Sequence, residues 1–233
     1  MMEKENLTAK EVYDLLVSDD EIIKIYDQIE EIEIREGGWG FHNYVHVKNV
    51  TQIAEKILRD LKLDEDTIYK CKIACLLHDV GCTGGKKGHP QRSYEFAKKL
   101  FEEKGWDFDG SDEVLEAIRN HSAGFETDSI VGLSIILADK LDIKKSRITE
   151  AGEQVIGNRQ YKHIEDITIN VENNTLTVNF KTDGKMDMKE VNEFYFTPKV
   201  FKAIEAFSNR LKLKYNILMD DKTWELEEET RNL

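Results

Sequence analysis

His78 and Asp79 stand side by side at the end of the apolar run Ala74-Cys75-Leu76-Leu77. Two polar side chains in such a setting are costly to bury without partners. Asp139 repeats the situation after Ile135-Ile136-Leu137-Ala138, and an ionised carboxylate there calls for a cation. The adjacent Lys140 is the ordinary candidate; a metal ion is the other. Six histidines occur, at 42, 46, 78, 89, 121 and 163, and five of them precede Asp139. A lone histidine is usually a surface residue or a satisfied core residue, so it is the clustering that points to a metal.

Local cations follow the His-Asp pair. Lys86, Lys87 and Arg92 lie just beyond Gly81, Gly84 and Gly85. If that loop folds over a metal, these side chains can receive phosphate oxygens, and arginine can do so with two parallel bonds. The glycines allow close backbone approach, but the Gly-x-x-x-x-Gly-Lys-Ser/Thr order of a P-loop is absent. A solvated turn explains the same letters. Lys140, Lys144, Lys145 and Arg147 form a second basic group. Lys140 and Lys144 share a helical face, from which they address a substrate or pair with acids. Asp142 suits orienting a ligand better than being one. His42 and Cys82 read as an exposed loop residue and a packed thiol, and His163 carries no assigned chemistry.

The elements that must hold these residues are mostly helical. Thr8 to Glu11 and Ser18 to Glu21 match the capping-box pattern and predict helix starts near 8 and 18, the second helix running to Gly37-Gly38. From Asn43 the apolar positions Val47, Val50, Ile53, Ala54, Ile57, Leu58 and Leu61 keep helical spacing, with His46 near the start. Asp64 caps the next helix, which stops around Gly81. His89-Pro90 opens another, continuing to Gly105. Further helices are expected from Ser111 to His121 and from about 128 to 142, the last largely apolar and central. The texture changes after Gly157: alternating residues on both sides of Glu172-Asn173-Asn174 predict an antiparallel hairpin. A third short strand is expected around 191–196, then a final amphipathic helix from Thr197-Pro198 to about 218. The fold class is therefore mainly α, with a small β-hairpin and a last helix in the C-terminal third. Residues 1–233 read as a single domain, with a helical core over about 40–147 and an extension over about 158–218.

Composition narrows the function. The chain has 233 residues, enough to bury a core without disulfide or metal staples. With 40% hydrophobic and 34% charged residues it reads as a folded globule. A net charge of -13 argues against broad nucleic-acid binding, while leaving room for a small phosphorylated ligand held by local cations. No apolar run reaches the length of a membrane span, and the charged start reads as a helix entry. Three cysteines without export signals suggest a reducing, cytoplasmic setting, with Cys71 and Cys75 facing the core together.

His46, then His78-Asp79, then Asp139, each on its own predicted helix, resembles the ordered signature of the HD superfamily of metal-dependent phosphohydrolases. The flanks Tyr44-Val45-His46-Val47-Lys48-Asn49-Val50, Leu76-Leu77-His78-Asp79-Val80-Gly81 and Ala138-Asp139-Lys140-Leu141-Asp142 resemble that family too. The likeness implies an HD-type helical bundle and a first metal held by His46, His78, Asp79 and Asp139. Two imidazoles and two carboxylates form a mixed N/O set suited to Fe, Mn, Zn, Ni or Co. A cation so held lowers the pKa of its water toward roughly 7 and polarises a phosphoryl oxygen. Asp79 can use both oxygens to bridge two metals.

In binuclear members two further histidines complete the second site, and His89 and His121 occupy comparable places. Some members carry an adjacent His-His pair where this chain has His121-Ser122. The bland alternatives are helix capping for His89 and a helix C-terminus for His121. The expected activity is hydrolysis of a small phosphorylated substrate, a nucleotide first among candidates, by a metal-activated water. Asp79 and His78 carry the catalysis, one or two divalent metals serve as cofactors, and Lys86, Lys87, Arg92 and Lys140 bind substrate. The alternatives are a noncatalytic nucleotide- or metal-binding regulator and a di-iron oxygenase on the same scaffold. The hairpin edge offers a surface for pairing with a second copy.

Overall fold

The computed structural model describes residues 5–227. The chain divides into two compact units, one formed by residues 1–32 and 42–138, the other by 33–41 and 139–233. Among the described residues no helix is long and apolar enough to cross a membrane.

The first unit is helical. Helix α1 (Ala9–Val17) starts as expected, with the Thr8 side chain accepting from Glu11 N and the Glu11 carboxylate accepting from Thr8 N. The second expected box does not form. Ser18 instead ends α1, donating its hydroxyl to the carbonyls of Asp14 and Leu15, and α2 (Asp20–Glu36) is entered through Asp19, whose carboxylate accepts from Glu21 N. Helix α3 (Tyr44–Asp60) is capped by Asn43 and α4 (Glu65–Leu77) by Asp64. After α4 the chain tightens into a 3-10 turn, Val80–Gly84. It then enters α5 (His89–Lys104) with Pro90 in the first helical turn, where its missing N–H costs nothing. Helices α6 (Ser111–Asn120) and α7 (Ile130–Leu141) follow.

A two-residue strand β1 (Glu5–Asn6) pairs in parallel with β2 (Trp106–Asp107). The buried faces of α1 to α7 meet in one core that includes Leu16, Ile29, Val50, Leu58, Leu76 and Ile135. Cys71 and Cys75 lie in it together, with sulfurs 4.0 Å apart.

The second unit holds a mixed sheet. Strands β3 (Ile164–Glu172) and β4 (Thr175–Thr182) form the expected hairpin. Its turn residues Asn173 and Asn174 both take positive φ, 49° and 59°, which asparagine tolerates and which matches the strand twist. Two expectations fail beyond it. Residues 191–196 form no strand, because Asp187 caps a short helix α8 (Met188–Glu193) whose Val191 is buried. The final helix, α9 (Thr197–Arg210), ends eight residues early. The chain turns at Lys212 and enters β5 (Lys214–Met219), which pairs in parallel with β4. A short β6 (Lys222–Thr223) completes the order β3-β4-β5-β6. The α8–α9 segment is thus the helical crossover that a parallel pair requires. Phe180, Phe201 and Trp224 pack edge to face in the core of this unit.

Candidate metal centre

Four elements of the first unit deliver histidines to one point. His46 sits in the first turn of α3, where its backbone N–H donates to the Asn43 side chain at 3.0 Å. Asn43 is itself fixed by donating to Glu30 at 2.8 Å. His78 ends α4, and its Nδ1 lies 2.7 Å from the carbonyl of Cys75. His121 ends α6 with Nδ1 2.7 Å from the Ile118 carbonyl. His89 opens α5 with Nδ1 2.7 Å from the Lys86 carbonyl. In these last three cases the partner is the carbonyl three residues back. A carbonyl only accepts, so each Nδ1 carries a proton, and a ring in its neutral form presents the lone pair of Nε2 forward.

Those lone pairs converge on Asp79. Its Oδ2 is 3.1 Å from His78 Nε2 and 3.4 Å from His46 Nε2. Its Oδ1 is 3.1 Å from His89 Nε2 and 3.6 Å from His121 Nε2. His89 Nε2 and His121 Nε2 are 2.8 Å apart. His46, His78, Asp79 and His121 are each at most 2% exposed, whereas the His89 side chain is 15% exposed. The opening to solvent is therefore on the His89 side. Burial pushes the Asp79 carboxyl up, but His78, His42 and His46 outweigh it and hold the group well below the usual carboxylate range. That is the direction for a carboxylate surrounded by positive charge, which protons on the rings or a cation between them supply.

The donor set fits a metal ion. Two imidazole lone pairs facing each other, with carboxylate oxygens beside them, are mutually repulsive unless a cation or a proton intervenes. His46, His78 and Asp79 bring ligand atoms within 4.8 Å of one another, and so do Asp79, Cys82 and His89.

Positioning begins in the backbone. Gly81 has no room for a side chain: a Cβ would fall 2.5 Å from His89 O and 2.6 Å from Ser93 N. That close approach, with Gly81 N donating to Ser93 Oγ at 3.0 Å, sets the start of α5 against the turn after Asp79. Tyr26 of α2, fully buried, donates to the Leu76 carbonyl at 2.6 Å and steadies the end of α4.

The remaining sequence candidates divide. Lys86 and Lys87 are exposed on the loop. Arg92 turns inward, its Nε donating to Gly81 O and Nη1 to Lys87 O at 2.8 Å each, and Nη2 to Gly85 O. It braces the loop through all three nitrogens instead of presenting an open fork. Asp139 and Lys140 belong to the second unit, where Lys140 Nζ is 2.8 Å from Asp139 and Arg147 is 4.0 Å from it. Cys82, which the sequence reads as a packed thiol, is buried with its sulfur 3.7 Å from Asp79 Oδ1. Its position three residues past Asp79, in a tight turn, was the only available signal.

No curated protein matches the chain. Among solved structures, a predicted HD superfamily hydrolase from an uncultured Thermotogales bacterium is 26% identical over 58% of this chain and 80% of its own, with a TM-score of 0.41. The family model for the HD domain matches residues 43–144, the segment that carries His46, His78-Asp79, His89, His121 and Asp139. Residues 43–144 are thus what this chain shares with the HD domain, in agreement with the ordered motifs read from the sequence.

Proposed function

We propose that the chain is a metal-dependent phosphohydrolase acting on a small phosphorylated molecule, with a nucleotide as the substrate to test first. The observation that carries this reading is one buried carboxylate, Asp79, with each oxygen facing a different pair of imidazole nitrogens. His46, His78 and Asp79 would hold a first divalent cation, to which the motif order adds Asp139. Asp79, His89 and His121 would hold a second. Such cations supply Lewis acidity and a water made acidic near neutral pH.

The protein's own groups do the rest. Asp79 and His78 fix the centre, His78 held by its Nδ1 contact with the Cys75 carbonyl and Asp79 by its own carbonyl accepting from Cys82 N. The exposed Lys86 and Lys87 lie on the loop that leads to His89, the solvent side of the centre, where they can draw and neutralise a phosphorylated ligand. Lys140 is the other candidate for substrate charge. Arg92 contributes by shaping the loop.

Asp79→Ala is expected to lose both bound metal and turnover. Elemental analysis of the purified protein, paired with a nucleotide and phosphomonoester hydrolysis screen across Fe, Mn, Zn, Ni and Co, tests this. Full activity in the variant, or in thoroughly chelated protein, would refute it.

A further inference from the structure

We infer that Cys82 is a ligand, giving the His89 side of the centre a thiolate-containing donor set selective for a thiophilic dication such as Zn(II), Co(II) or Fe(II). The inference rests on the metal-centre reading and refines it. Around Asp79 Oδ1 the distances are 3.7 Å to Cys82 Sγ, 3.1 Å to His89 Nε2 and 3.6 Å to His121 Nε2, and the two imidazole nitrogens are 2.8 Å apart. Cys82 Sγ, Asp79 and His89 also lie mutually within 4.8 Å.

A tetrahedral ion with metal–N and metal–O distances of about 2.0–2.2 Å and a metal–S distance of about 2.3 Å has ligand–ligand edges of about 3.3–3.7 Å. Asp79 Oδ1 therefore stands near edge distance from the Cys82 sulfur and from both imidazole nitrogens, and Cys82, Asp79 and His89 supply sulfur, oxygen and nitrogen to one cluster. The turn Val80–Gly84 aims the thiol inward, and Cys82 is only 3% exposed.

Charge favours the same arrangement. A thiolate adds a full negative charge beside the carboxylate that the two cations would share, while the two imidazoles stay neutral. Binding replaces the thiol proton, which leaves to solvent, and no electron is transferred. A soft sulfur donor shifts preference away from Mg(II) and Mn(II), which favour oxygen.

Cobalt titration of the full-length protein tests the assignment. A near-ultraviolet thiolate-to-cobalt charge-transfer band is expected in the native chain and in Cys71→Ser, and its loss in Cys82→Ser. Cys82→Ser should also bind the second equivalent of metal at least about 10–100-fold more weakly, the loss known for mere outer-shell partners. X-ray absorption at the zinc edge of the unmutated protein should find a sulfur scatterer, whether or not the variant folds.

Cobalt binding with visible ligand-field bands but no charge-transfer band overturns the Cys82 assignment and leaves the metal centre standing. A band that survives Cys82→Ser, or a zinc edge with only N/O neighbours, overturns it equally. Absence of any cobalt or zinc binding removes the metal-centre reading and this inference together.

Discussion

Gly81→Ala is the sharpest test of how the centre is positioned. Gly81 does not need a positive φ, so the substitution changes only space. The added Cβ would lie 2.5 Å from His89 O, 2.6 Å from Ser93 N and 2.8 Å from Ser93 Oγ. The tightest contact falls 0.9 Å short of the 3.4 Å at which ordinary packing begins, and two of the three atoms are backbone. The start of α5 must therefore move away by most of that distance. Overpacking of this kind costs about 1–3 kcal/mol. Losing the Gly81 N–H to Ser93 hydrogen bond adds about 0.5–1.5 kcal/mol. The expected destabilisation is about 2–4 kcal/mol, or about 4–16 °C in Tm for a chain of this size.

His89 is the first residue of α5 and moves with it, whereas His46, His78 and Asp79 precede the clash. Metal stoichiometry should accordingly fall on the His89 side first. Thermal unfolding and elemental analysis of the same preparations read both effects. Gly124→Ala is the control, since nothing lies within 4 Å of a Cβ there. A Gly81→Ala protein that melts with the native chain and keeps its full metal content would refute the positioning argument.

Other predictions address the supports around the centre. Tyr26→Phe removes the buried donor to the Leu76 carbonyl at the end of α4 and should cost about 1–2 kcal/mol in urea unfolding; an unchanged midpoint would show that the bond contributes nothing. In the second unit, the Arg159 guanidinium holds the Glu190 carboxyl down at about 2 from an ordinary 4.5. Because the folded value is the lower one, this pair stabilises above pH 4.5 and its contribution fades as pH falls toward 2. Glu190→Gln should flatten that part of the acid unfolding curve; a curve parallel to that of the native chain would contradict it.

Much of the first unit was legible because its signals are local. Thr8, Asn43 and Asp64 cap helices within three residues of themselves, and Pro90 marks the start of α5 through its own backbone. The Asn173-Asn174 turn is likewise a property of two residues. Ser18 misled because a hydroxyl can serve either helix end, and only the course of the chain put it at the end of α1. The segment 211–218 read as helix because so short an amphipathic stretch fits either period. It became β5 through pairing with β4 some 40 residues earlier, a partner that no local pattern announces.

The centre divides the same way. Residue types and order determined that His46, His78-Asp79, His89 and His121 come from separate elements. Tertiary packing decided that Asp79 turns one oxygen to His46 and His78 and the other to His89 and His121. It also decided that Arg92 spends its nitrogens on loop carbonyls and that Cys82 faces the carboxylate. Spacing along a chain fixes which residues share an element, but convergence depends on how the elements pack, and that is set by the whole buried core at once.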